Sequence, residues 1–293
     1  MTATTFKYWL EYLGLRAVSG ILSLMPIETA SHLSGKFWRL VAPWFFRHKR
    51  ALTHLREAYP EKTQAEIETI ARDMWECLGR VFAETLRLPE LYKSGRIDSA
   101  ELCAAVAPII AQGKGVVMCS AHQGNWEVGA LGLMQCGVEP TGIYRHVKNP
   151  MVDQFLLDLR APFYPTGLMA KGPETAMRLM RHVKRGGCLA ILADLREWGG
   201  LDVPFFGRPA PSTPFPAILA RNLDSALCVA QIVRDDHVRF RIRVQQIDVP
   251  HTDDKDADIL VATARLQAAI ESNIRSRPEH WMWAHQRWGL APD

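Results

Sequence analysis

The sequence predicts an α/β protein, a mixed central sheet flanked by helices, preceded by a helical N-terminal region. Two observations carry this. Up to residue 112 the apolar residues recur at helical spacing, and from residue 113 onward short apolar runs alternate with helical stretches. That alternation is the pattern of a sheet with helices on both faces. A chain of 293 residues suits one large α/β domain or two small ones and buries a sizeable core without disulfide or metal staples.

Residues 1–60 read as helical, cut into pieces by Pro26 and Pro43. The run YLGLRAVSGILSLMP (12–26) contains Arg16 and falls short of the roughly 20 apolar residues that cross a bilayer. The next, FWRLVAPWFFRHKR (37–50), ends in Arg47, His48, Lys49 and Arg50. No small-residue cleavage pattern follows the first run. These residues are expected to lie on or dip into a membrane face, with cations meeting anionic headgroups. A helical hairpin packed on the globular part is the plainer alternative, and a full transmembrane span is the third. The division is set at 1–60, a membrane-associated region, and 61–293, the α/β domain.

Thr63 and Glu66 have the spacing of a capping box. Behind them, Ile67, Ile70, Met74, Leu78 and Val81 form one apolar stripe over 64–86. A helix is expected at 99–112 and a buried strand at VVMC (116–119), with the next helix beginning near Asn125. Then follow a strand at 141–145, helices near 150–160 and at 174–186, and a buried strand at CLAILAD (188–194). EWGGLDVPFFGRPAPSTP reads as a Pro- and Gly-rich loop. A helix at 215–223, strands near 226–233 and 238–247, and a helix at 256–275 complete the reading. HWMWAHQRW closes it.

The net charge of +4 fits an anionic membrane surface, a phosphorylated substrate or an acidic protein partner. No nucleic-acid motif is present. The six cysteines have no CxxC spacing and are expected to be free thiols in a reducing compartment. No metal-ligand set and no cofactor fingerprint is apparent, since one His with one Glu is too few ligands and H-E-x-x-H is absent.

CSAHQGNWEVGA (119–130) carries the candidate chemistry. It puts His122 on the turn leaving a buried strand, where open sheets concentrate ligand-binding residues. A turn at Gly124 brings Glu127 back toward the imidazole, a pairing that fixes one tautomer and stabilises the imidazolium. Cys119 reads as a buried thiol, and Ser120 lacks a G-x-S-x-G elbow. From spacing alone, a structural histidine fits as well as a general base.

Four stretches together tip that balance: SAHQGNWEVG, YRHVKNP (144–150), VPFFGRPAPSTPFPAILA (203–220) and EHWMWAHQRW (279–288). In this order, over about residues 10–289, the chain closely resembles the bacterial lipid A biosynthesis acyltransferases, the late lauroyl and myristoyl transferases. The resemblance implies a glycerolipid-acyltransferase-like fold at the cytoplasmic face of the inner membrane, peripheral or N-terminally anchored. It implies transfer of a fatty acyl chain from acyl carrier protein to a hydroxyl on a phosphorylated glycolipid, a lipid A precursor.

Within that resemblance His122 is the catalytic base and Glu127 its partner. Arg145 is a candidate for phosphate or thioester-oxygen contact, with backbone N–H groups after His122 as the other oxyanion candidates. Arg208 and Arg287 are candidate substrate contacts. Phe205 and Phe206 line a tunnel mouth or plug the core. Trp281, Trp283 and Trp288 pack on the core or on a membrane interface. The chain departs from the family at Ala121, where asparagine is usual, at Asp194-Leu195-Arg196, where Asp-Gln is usual, and at Gln286, where a second arginine is usual. The alternatives are the same chemistry on another bacterial lipid (a glycolipid, an ornithine-type lipid or a lysophospholipid), a thioester hydrolase, or a non-catalytic membrane protein of the same fold.

Overall fold

The computed structural model describes residues 3–289. The chain begins with helices α1 (Ala3–Ser23), α2 (Ile27–Val41), α3 (Phe46–Ala58), α4 (Gln64–Thr85) and α5 (Leu88–Lys93). It continues through β1 (Ile97–Asp98), α6 (Ala100–Ala111), β2 (Val116–Ser120), α7 (Val128–Gln135), β3 (Pro140–Tyr144), α8 (Pro150–Arg160) and β4 (Leu168–Ala170). Then come α9 (Pro173–Lys184), β5 (Cys188–Leu192), β6 (Leu201–Phe205), β7 (Arg208–Ser212), α10 (Phe215–Leu223), β8 (Ala226–Asp236), β9 (Arg239–Ile247) and α11 (Lys255–Ser276).

Seven strands form the central sheet in the order β1-β9-β8-β2-β5-β3-β4. Neighbours are parallel except β8 and β9, so the sheet is mixed. β2 sits in its middle, and all five of its residues are buried, as expected of a strand covered on both faces. One face is covered by α6 and α7, the other by α9, α10 and α11. The Thr63–Glu66 capping box is formed, with Thr63 N donating to Glu66 Oε2 at 2.8 Å. Its helix α4 packs along α2 through Gly79, whose backbone leaves room for Trp38.

Three sequence expectations are corrected. The segment read as a loop at 197–214 contains a two-stranded antiparallel ribbon, β6–β7. Its prolines are tolerated because Pro204 faces Pro209 on an isolated ribbon that needs few ladder donors. β1 and β4, of two and three residues, are too short to show a period. And not all cysteines are free: Cys103 in α6 and Cys136 at the end of α7 form a disulfide, their Cα atoms 5.0 Å apart. Cys77, Cys119, Cys188 and Cys228 are free and buried.

α1 and α2 leave large apolar side chains in solvent, among them Trp9, Leu10, Ile21, Phe37 and Leu40, and Trp44 beyond α2 is 80% exposed. Among the described residues no helix is long and apolar enough to cross a membrane.

Candidate active site

Strand β2 delivers His122 two residues past its carboxyl end, and β5, hydrogen-bonded beside it, delivers Asp194 at the same level. The imidazole Nδ1 of His122 lies 2.9 Å from Asp194 Oδ1. Asp194 Oδ2 accepts from the His122 backbone N–H at 2.9 Å and from Trp281 Nε1–H at 2.7 Å. Burial pushes the Asp194 carboxyl up, but the charge and hydrogen bonds of His122, with the Trp281 N–H, hold it down at about 2. Among the described residues His122 Nε2 has no hydrogen-bond partner, so the second nitrogen is available to a ligand.

The turn after His122 is fixed by the C-terminal segment. Gly124 adopts φ +58°, and a Cβ there would sit 2.5 Å from the Ile232 carbonyl oxygen, so glycine is required on both counts. Gly124 N–H donates to the His280 carbonyl, Met282 N–H to the His122 carbonyl, and Gln123 Nε2 to the Asn273 carbonyl. Gln123 N–H is likewise taken, by the Ala121 carbonyl. The first two backbone N–H groups after His122 therefore do not face a developing oxyanion, which removes them from the candidates.

Glu127 does not reach the histidine, so the expected pairing is corrected. The helix entered after Asn125 turns its carboxylate toward α8, where Arg160 Nε and Nη2 grip both oxygens at 2.5–3.1 Å. The H-x4-E spacing is real, but the orienting carboxylate comes from the neighbouring strand, 72 residues away. The one available signal was an apolar strand, CLAIL, followed by Ala193 and a carboxylate at the carboxyl end of the sheet. Asn125 is also structural: its Nδ2 donates to Glu84 Oε2 at 2.9 Å. The fully buried Glu84 also receives Ser31 Oγ and both Nη atoms of Arg234. A second His–Glu contact, His48 to Glu68 at 3.3 Å, belongs to the α3–α4 packing, where His48 also receives Trp75 Nε1–H. Neither His48 nor Glu68 lines the cavity described next.

His122, Glu127 and Arg160 line a cavity of about 1470 Å3 whose surface is mainly apolar. Arg145, exposed after β3, is on its wall. The other two arginine expectations are corrected. Arg208 pairs with Glu57 and covers the Trp288 ring, away from the cavity. Arg287 is fully buried, donating to the Pro211 carbonyl, Ser212 Oγ and Gln267 Oε1. Burial lowers its pKa to about 10, and Gln267 in turn donates to the Ala193 carbonyl, so Arg287 braces the segment carrying Asp194. Phe205 and Phe206 are core plugs, packed with Trp281, Trp283 and Trp288 in one buried aromatic cluster. Lys171, unremarked in the sequence, and Arg196, noted there only as a departure from the family pattern, join Arg145 as cations on the cavity wall; Lys171 pairs with Glu197 and Arg196 stacks on Trp198.

A histidine held by a buried carboxylate at the carboxyl end of a largely parallel sheet, opening on a large apolar cavity, sets a group able to exchange protons beside room for an apolar chain. The family model for bacterial lipid A biosynthesis acyltransferases matches residues 2–289, and the chain belongs to that family. It is 24% identical to a lipid A biosynthesis acyltransferase of Haemophilus influenzae, over 98% of this chain and 92% of the relative. It is 23% identical to the lipid A biosynthesis lauroyltransferase of Escherichia coli, over 98% and 94%. A phosphatidylinositol mannoside acyltransferase of Mycobacterium tuberculosis is 25% identical over 73% of this chain and 68% of that one. The protein is an acyltransferase of the lipid A biosynthesis class.

Proposed function

We propose that this acyltransferase moves a fatty acyl chain from an acyl carrier protein thioester to a hydroxyl of a lipid A precursor, with His122 as general base and Asp194 orienting it. The observation that carries this reading is the His122 Nδ1–Asp194 bond on the wall of a large apolar cavity. Asp194 keeps the proton on Nδ1, so Nε2 accepts the proton of the attacking hydroxyl. The hydroxyl oxygen bonds to the thioester carbon, the C–S bond breaks, and the thiolate leaves, taking the proton back from the imidazolium. Arg145 supplies positive charge for the carbonyl oxygen or for a substrate phosphate. Glu127 and Arg160 act as a positioning pair between the catalytic turn and α8.

In this reading the enzyme works at the cytoplasmic face of the inner membrane. Residues 1–60 lie on the bilayer: their exposed apolar side chains enter it, and Arg47, Lys49 and Arg50 meet anionic headgroups. The similarity to a mannoside acyltransferase favours, as the second reading, the same chemistry on another glycolipid.

A membrane-fraction assay with labelled acyl carrier thioesters tests both readings, offering a lipid A precursor or a mannosylated phosphatidylinositol as acceptor. Label is expected in the lipid A precursor and absent with His122→Ala. Label only in the mannoside installs the second reading, and activity retained in His122→Ala removes the base role.

A further inference from the structure

The cavity is larger than one acyl chain needs, and it lies on both faces of the sheet. Its volume of about 1470 Å3 exceeds the roughly 300–1,000 Å3 typical of single-ligand pockets. Successive residues of a strand point to opposite faces, and residues in register on neighbouring strands share one. Met118 is in register with Ala190, and Ala190 with Gly142; Cys119 is in register with Ile191. Met118 and Ala190 therefore face one side of the sheet, Ile191 and Ile143 the other.

On the first side the cavity is lined by Met118, Ala130, Leu133, Tyr164 and Ala190, all packed in the hydrophobic cluster under α7. On the second it is lined by Ile143, Leu179, Ile191 and Phe215, which belong to a different cluster, and by Ile218, all under α9 and α10. His122 stands past the end of β2, the central strand, where the two sides meet.

We propose that the cavity consists of two apolar arms, one on each face of the sheet, joined at His122. The arm under α7 takes the hydrocarbon chain of the acyl donor, and the arm under α9 and α10 takes a hydrocarbon chain of the acceptor lipid. The α7 arm is walled by deeply buried core side chains, Met118, Ala130 and Leu133, which give a chain a fixed stop. The other arm includes Thr175 and Thr213 and lies beside Lys171, between β4 and α9, and Arg196, as suits a chain attached to an anionic headgroup. Donor carbonyl and acceptor hydroxyl then approach the imidazole from opposite faces, which keeps the two chains from competing for one groove. The donor and acceptor labels rest on the acyl-transfer reading above; the existence of two arms does not.

Ala190 and Ala176, one small residue lining each arm, allow the arms to be filled separately. The full-length protein in lipid vesicles is loaded with dodecanoic acid carrying a terminal diazirine, irradiated, digested and mapped by mass spectrometry. Adducts are expected on the α7 segment and on the α10 segment. Ala190→Leu should remove the first set and spare the second, and Ala176→Leu should do the reverse. Adducts on one face only, or loss of both sets together, would overturn the two-arm proposal, and no turnover is needed to see it. In the transfer assay, Ala190→Leu should shorten the preferred donor by about two methylenes without changing the acceptor KM. Ala176→Leu should raise the acceptor KM by about tenfold without changing donor preference. The opposite kinetic pattern overturns the assignment of the arms. Two-sided labelling with no transfer from any donor by the wild type overturns the acyl-transfer reading and leaves the two arms standing.

Discussion

Asp194 stays ionised in full burial because three donors converge on it, and that charge is what orients His122. Its folded pKa, about 2, lies below its ordinary value of 3.8. The stability it contributes is therefore complete above the ordinary value and is lost as pH falls toward 2. Asp194→Asn should lower kcat by about 10²–10⁴-fold and flatten the acid limb of the stability curve below about pH 4. Circular dichroism at neutral pH should still report a folded chain. Glu127→Gln should behave differently. It leaves Arg160 with a weaker partner, costing about 2–3 kcal/mol in urea denaturation, while the pH–rate profile keeps its shape because the imidazole partner is untouched. An acid limb displaced by Glu127→Gln as much as by Asp194→Asn would return the orienting role to Glu127.

At the scale of elements, the His122 turn is tied to α4 through Glu84, which joins Ser31 of α2, Asn125 of the turn and Arg234 of β8 in one buried network. Breaking a buried ion pair on one side leaves the other charge unpaired. Glu84→Ala should destabilise the protein by about 3–5 kcal/mol, read as a shifted denaturation midpoint. An unchanged midpoint would mean that Arg234 finds solvent instead. Helices with a full apolar stripe and cap, such as α4, were legible because every signal for them lies within a few residues. The β6–β7 ribbon was not, since its prolines carry the local signature of a loop and only the pairing partner makes them strands.

Over the whole molecule, acid should act through three buried histidines, His54, His280 and His285, as well as Asp194. Burial, the largest cause in each, lowers His280 and His285 to about 4; nearby cations add to it, and at His285 the Asp194 charge opposes it. Both are neutral in the folded protein at pH 5–6, whereas the unfolded chain takes up protons there. The unfolded state thus binds more protons between about pH 6.5 and 4, and stability falls as pH drops through that window. The melting temperature should decline across it, and His280→Asn should reduce the slope. A flat melting temperature from pH 7 to 4.5 would contradict the burial of these rings.

The sequence by itself determined the α/β class, most of the helices and strands, the His122 turn and the family, because periodicity, capping and motif order are local or linear properties. Tertiary structure decided what the partners are. Asp194 faces His122 because β5 pairs with β2; Glu127 turns to Arg160 because α8 crosses beside it. Arg208 and Arg287 became braces, and Cys103 met Cys136. Strand order and helix crossing set these contacts across tens to hundreds of residues, distances over which no spacing in the chain records which side chains will meet.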